Sequence, residues 1–318
     1  MKLGCLTKAL FVFITILNIN NVFAGISNID FLIPGGEGGG WDTTARQTGQ
    51  ALIETNLIKS ASYNNLSGGG GGRAIKSLVT EPDKYQNTLM VQSTPLILRN
   101  LSGVIPHSYR DITPISLLIA EYQVLVVPKD SVYKNTSELI AAVKENYSKN
   151  SIIGGSAKGS LDHVTAALIL QAAGLNPKKM RYISSDGGGE ALERLYKGVG
   201  VALVTGFGEI VDEYKKDKVR ILGITSESKV PGLEIPTFKE QGLNLVFANW
   251  RGFFARSGMS SDQVQQYVDL FKSLNQTDKW NEVRSKYGWA DYLKSGDELK
   301  VFLKKQENSI QEILKLIE

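Results

Sequence analysis

Asp30-Phe31-Leu32-Ile33-Pro34-Gly35-Gly36-Glu37-Gly38-Gly39-Gly40-Trp41-Asp42 reads as a short apolar strand, a glycine-rich loop and the start of a helix. Asp42 in the first helical turn suits the positive end of the helix dipole and can cap free N–H groups. The five glycines between Pro34 and Trp41 let the backbone turn tightly and present bare N–H groups to an anion. The spacing is not that of a nucleotide-binding loop: no G-x-G-x-x-G runs from Gly35 to Trp41, and no G-K-[ST] follows.

Three further loops of this kind follow candidate strands, at residues 67–72, 154–160 and 185–189. Strand-like runs alternate with helix-length segments almost throughout, which predicts an α/β chain with a mainly parallel sheet. The expected strands are Ser62–Leu66, Leu89–Gln92, Tyr122–Pro128, Ile152–Ile153, Arg181–Ser184, Val201–Thr205, Val219–Ile224 and Leu245–Phe254. The apolar runs Tyr122–Pro128 and Leu245–Phe254 echo one another and read as two strands crossing between domains. Residues 25–125 together with 250–318 then form one domain, and residues 126–249 the other. The tail reads as helical, with Val264, Val268, Phe271 and Leu274 on one stripe and Ser295 and Glu298 as a capping box. No fixed-length repeat is visible.

Lys2 and Lys8 precede the apolar run Ala9–Leu17, and Val22-Phe23-Ala24 offers small residues where a signal peptidase reads. This is the pattern of a cleaved secretory leader, with cleavage expected after Ala24. The run is too short to span a bilayer. Cys5, the one cysteine, lies in the leader, so disulfides, thiolate metal sites and cysteine nucleophiles are not expected. The 36 basic and 32 acidic residues are interleaved, and the leader carries two of the bases. Nothing in that balance points to nucleic acid.

In an open α/β sheet, ligands bind beyond the carboxyl ends of the strands. Glycine loops from two domains facing one cleft would surround a small anion with main-chain N–H groups, so that a carboxylate needs no arginine clamp. A hydrolase reading rests on Ser156, Asp162 and His163. Adjacent residues on a helix diverge by roughly 100°, so Asp162 is poorly placed to orient His163. Gly154-Gly155-Ser156-Ala157-Lys158 also lacks the closing glycine of a nucleophile elbow. No cluster has metal-ligand spacing, and His107 sits alone in a polar loop. Trp41 is expected to wall the cleft, and Trp250 to pack near the hinge.

Ile33–Arg46, Asn65–Gly72, Gly154–His163, Gly187–Ala191 and Ala248–Gly252 resemble, in order, five blocks of the substrate-binding proteins of tripartite tricarboxylate transporters. The resemblance implies a two-domain periplasmic-binding-protein fold, type II-like, with two crossover strands forming the hinge. It implies a receptor, monomeric and without a cofactor, that captures a di- or tricarboxylate such as citrate. The receptor would deliver it to a large and a small integral-membrane subunit. The same fold serving a membrane signalling protein as a sensor is the alternative. Carried over residue by residue, the resemblance assigns the carboxylate to Gly38, Gly39, Gly40 and Trp41 and to Ser156, Ala157, Lys158 and Gly159. Gly36, Ser93, Thr94, His163, Gly188, Glu190 and Gly206, at neighbouring loop and strand ends, complete the candidate ligand-binding set. Glu37 and Lys158 depart from the usual pattern. A cleft-facing Lys158 would favour a second carboxylate, and Glu37 is expected to point away from the ligand.

Overall fold

The computed structural model describes residues 25–230 and 232–317; the leader expected over residues 1–24 lies outside them. The chain opens with β1 (Asn28–Ile33), α1 (Gly40–Glu54), β2 (Ser60–Asn65), α2 (Gly72–Thr80), β3 (Thr88–Ser93) and α3 (Pro95–Leu101). The long β4 (Thr113–Pro128) leads into α4 (Thr136–Glu145), β5 (Ile152–Gly154), α5 (Leu161–Ala172), β6 (Tyr182–Ser184), α6 (Gly188–Tyr196), β7 (Ala202–Gly206), α7 (Phe207–Lys215) and β8 (Val219–Ile224). β9 (Ala248–Ala255), α8 (Ser261–Asn275), α9 (Asp278–Tyr287), β10 (Ala290–Ser295) and α10 (Gly296–Ile317) complete it.

The strand order is β2-β1-β3-β9-β4-β7-β5-β6. β1 pairs in parallel with β2 and β3, and β5 in parallel with β6 and β7. Each triplet thus holds two helical crossovers, with the later strands placed on both sides of its first strand. The chain reverses direction across the sheet at β1 and at β5, which opens a crevice at the carboxyl end of each. The sheet is less parallel than expected. β9 runs antiparallel to β3 and β4, and β4 antiparallel to β7, β8 and β10.

β4 crosses intact: Thr113–Tyr122 pairs with β9, and Gln123–Pro128 pairs with β7 and β8. The second expected crossover strand is shorter than its apolar run. Pairing starts at Ala248, because Phe247 is held by the segment after β8, its N–H donating to the Thr225 carbonyl (3.0 Å) and its carbonyl accepting from the Thr225 hydroxyl. The tail is not wholly helical, since β10 adds an edge strand to β4. Glu298 takes Lys294 as its partner, and no Ser295–Glu298 capping bond forms among the described residues.

Three apolar clusters hold these layers. Ile29, Phe31, Ile33 and Leu52 meet Phe253, Phe271 and Trp280 under α1, α8 and α9. Val124, Val126 and Leu203 pack beneath α6 and α7. The third joins α10 to both halves: Leu303, Ile310 and Leu314 share a cluster with Leu96 of α3 and with Val164 and Leu170 of α5. The buried Trp250 packs there at a tilt against Phe254 and edge-on against Phe302. The loop before α2 needs glycine for its backbone. Gly68, Gly69, Gly70 and Gly71 all have positive φ, a run that L side chains would strain.

Candidate functional site

The opening loop is fixed by its own helix. Asp42, buried in the first turn of α1, accepts the Gly38 N–H (2.9 Å), the Asn65 amide (2.9 Å) and the Arg46 Nε (2.8 Å). Asn65, at the end of β2, also donates to the Gly35 carbonyl (2.9 Å). Burial pushes the Asp42 carboxyl up, but the Gly38 N–H, Asn65 and Arg46 outweigh it and hold the group below the usual carboxylate range. Asp42 thus keeps its charge and the loop its shape. Glu37 is exposed, 4.0 Å from Arg46.

Of the opening glycines, the Gly38 N–H is taken by Asp42 and the Gly39 N–H by the Gly36 carbonyl (3.3 Å). Gly40 and Trp41 begin α1, where N–H groups have no intrahelical acceptor, and neither amide finds one elsewhere among the described residues. Trp41 stands behind them, with its Nε1 on the Ser93 hydroxyl (2.9 Å) and the Arg99 guanidinium over its ring (5.6 Å). The Thr94 hydroxyl donates to the Ala248 carbonyl (3.0 Å), so Ser93 and Thr94 brace the wall and the hinge.

The second lobe repeats the device at β5. Ser160, the N-cap of α5, donates to the Ala157 carbonyl and to Ser156, and Ser156 donates to Asp162 (2.8 Å). The Gly159 N–H donates to His163 Nδ1 (2.9 Å), and the His163 ring packs on Tyr182, 4.5 Å between centroids. His163 is therefore a neutral acceptor that braces the loop. Burial, with the Lys158 charge adding, pushes it down to about 4. Burial pushes Asp162 up to about 7, opposed by the Ser156 hydroxyl and reinforced by Glu209. Ser156 and His163 share no hydrogen bond, so these residues form no serine–histidine relay. Ala157 and Lys158 lie exposed at the tip, their N–H groups without an acceptor among the described residues.

The floor between these loops is charged. Arg251 of β9 is buried, 2.5 Å from Glu121 of β4, and its Nη1 lies 3.4 Å from the Thr44 hydroxyl. A Cβ at Gly40 would sit 2.5 Å from Arg251 Nη2, so α1 begins directly on this guanidinium. On the other side, a Cβ at Gly188 would lie 2.5 Å from Glu209 Oε2, and one at Gly155 would lie 2.9 Å from the Gly188 nitrogen. The Glu209 carboxylate accepts from Thr205 and is open to water, yet it is walled by protein on most sides. That enclosure raises it, opposed by Thr205; Glu121 reinforces the rise and Arg251 offsets it. Gly40 on Arg251 at one side, and Gly155 and Gly188 on Glu209 at the other, bring the two glycine loops onto one run of charged residues, in which Arg251 offsets the rise at Glu209.

The remaining candidates divide. Gly188 packs between Gly155 and Glu209, and Gly206 lies against the buried Gln123. Glu190 instead turns back on its own loop, accepting the Asp186 N–H (2.6 Å) and pairing with Arg194 (2.7 Å). Arg251, Glu121 and Glu209 were not read as site residues. The signal available was an arginine inside the apolar run Leu245–Phe254, which demands a buried partner.

Two α/β sheets joined through β4, each with glycine loops ahead of helices at the carboxyl ends of its first strand, define a two-domain ligand-binding protein. The chain belongs to the tripartite tricarboxylate transporter receptor family, whose profile matches residues 45–318, and it is accordingly a receptor rather than an enzyme. A protein of Pseudomonas sp. (strain P51), encoded in the tcbD-tcbE intergenic region, is 28% identical over 243 residues, covering 75% of this chain and 70% of the relative. A TctC solute-binding protein from Polaromonas superposes with a TM-score of 0.77 at 19% identity, over 92% of this chain and 99% of that one. A Rhodopseudomonas palustris protein with adipate superposes at 0.75 and 18% identity, over 92% and 98%.

Proposed function

We propose that this receptor captures a small di- or tricarboxylate between its lobes in the periplasm, after cleavage of its leader behind Ala24, and hands it to a large and a small integral-membrane subunit. The lobes in this reading are residues 25–125 with 250–318, and residues 126–249. What supports the proposal is the pair of open amide sets, at Gly40 and Trp41 on one loop and Ala157 and Lys158 on the other.

A carboxylate between them receives charge-assisted hydrogen bonds and the positive ends of two helices. Lys158, exposed and without an ion-pair partner among the described residues, is the natural contact for a second carboxylate. The adipate held by the Rhodopseudomonas palustris protein supports a dicarboxylate. Glu209 at the floor repels a further anion, which limits how deep the second carboxylate can sit.

Thermal-shift titration with citrate, malate, succinate and adipate tests this reading. At a ligand concentration of 100 Kd the folded state gains about 2.7 kcal/mol, so at least one of these acids raises the melting temperature by several degrees. A melting temperature unmoved by all four would overturn it.

A further inference from the structure

A second crevice lies on the other flank of β4, where β8 and β10 rather than β7 and β9 are its neighbours. It is a cavity of about 620 Å³ between α7 and the turn that joins α9 to β10, a size ordinary for small-molecule sites. Its walls are aromatic. Tyr122 and Phe207 stand on one side, and Tyr287 stacks on Trp289 on the other, 4.8 Å between centroids at 21°. Trp289 is anchored by its Nε1 on Glu121 (3.1 Å), and the turn at Gly288 closes against Phe207.

The rim is cationic. Lys215 and Lys286 are exposed and have no carboxylate within 4.0 Å among the described residues. Lys229 has only Glu240 at 3.9 Å. Asp291, the acid lining the cavity, is held by Arg284 at 2.9 Å. Flat apolar walls under unneutralised lysines fit a planar ring bearing a negative charge, since the ring stacks while the anion meets the ammonium groups. The glycine loops, which grip an anion by main-chain N–H groups, take no part.

We propose that this crevice is a second binding site, selective for an aromatic carboxylate and read by side chains. Calorimetric titration with 1-naphthoate tests it, on the wild type and on a Lys215→Glu, Lys286→Glu double variant. Both positions are exposed, so the variant keeps its fold. The expected result is one naphthoate per chain in the wild type, bound about tenfold more weakly by the double variant, as loss of two partly exposed ion pairs implies. The titration is repeated with adipate at saturation, and the naphthoate affinity is expected to persist.

Absence of naphthoate binding, an affinity unchanged by the double charge reversal, or displacement of naphthoate by adipate would each overturn the proposal. The charge-reversal arm needs no adipate, so it stands apart from the acid preferred by the glycine loops.

Discussion

Arg251 lies directly beneath Gly40, so closely that a methyl group on Gly40 would meet its guanidinium at 2.5 Å. The first turn of α1 therefore rests on a buried cation carried by β9.

Gly40→Ala tests that contact. The added methyl must push Arg251 off Glu121 or tilt the start of α1, and either displaces the open amides of Gly40 and Trp41. Carboxylate affinity is expected to fall about tenfold or more, the equivalent of roughly 1.4 kcal/mol, in a titration of the best ligand. Gly189→Ala, where nothing lies within 4 Å of the new methyl, is expected to change affinity little.

Arg251 is buried and Glu121 is mostly covered, so removing one partner leaves a poorly compensated charge. Arg251→Ala and Glu121→Ala are each expected to cost about 3 kcal/mol in urea unfolding. The double variant is expected to cost clearly less than the sum of the two. Additive losses would show that the pair does not act as a unit.

Asp162 and His163 titrate in opposite senses. The folded value of Asp162, about 7, lies above its ordinary 3.8, so its contribution is complete below about pH 4 and is lost as pH rises through 7. The folded value of His163, about 4, lies below its ordinary 6.5, so its contribution is complete above that pH and is lost as pH falls through 4. Between pH 4 and 6.5 the two offset each other. Relative to wild type, His163→Gln is expected to lose melting temperature as pH rises across this window, and Asp162→Asn to gain it. Parallel curves for all three proteins would contradict the assignment.

Ser156→Ala separates bracing from chemistry. The hydroxyl donates to Asp162, so its loss costs more when Asp162 is charged. A deficit of about 1 kcal/mol is expected at pH 8, shrinking at pH 5. Ester turnover is expected from neither protein.

Much of this architecture was legible in the chain. Glycine loops after apolar runs located the carboxyl ends of β1, β5 and β6, because only a tight turn or a close approach there calls for so many residues without side chains. β10 escaped because Ala290–Ser295 is a polar edge strand with no buried apolar face to pattern it. Leu245–Phe247 read as strand because they are apolar, yet Phe247 serves the end of β8 instead. The crevice floor was the hardest part. Glu121 and Arg251 are 130 residues apart and meet only through the register of β4 and β9, which no local pattern carries. Likewise, the capture of the Gly38 amide by Asp42 follows from loop geometry rather than composition.

The central claim is that main-chain amides of both lobes share one carboxylate. Amide chemical shifts, followed by NMR while the most stabilising dicarboxylate is titrated in, test it most directly. The account predicts that the amides of Gly40, Trp41, Ala157 and Lys158 shift together along a single saturation curve. Shifts confined to one lobe, or saturable binding that leaves these four amides unmoved, would contradict it.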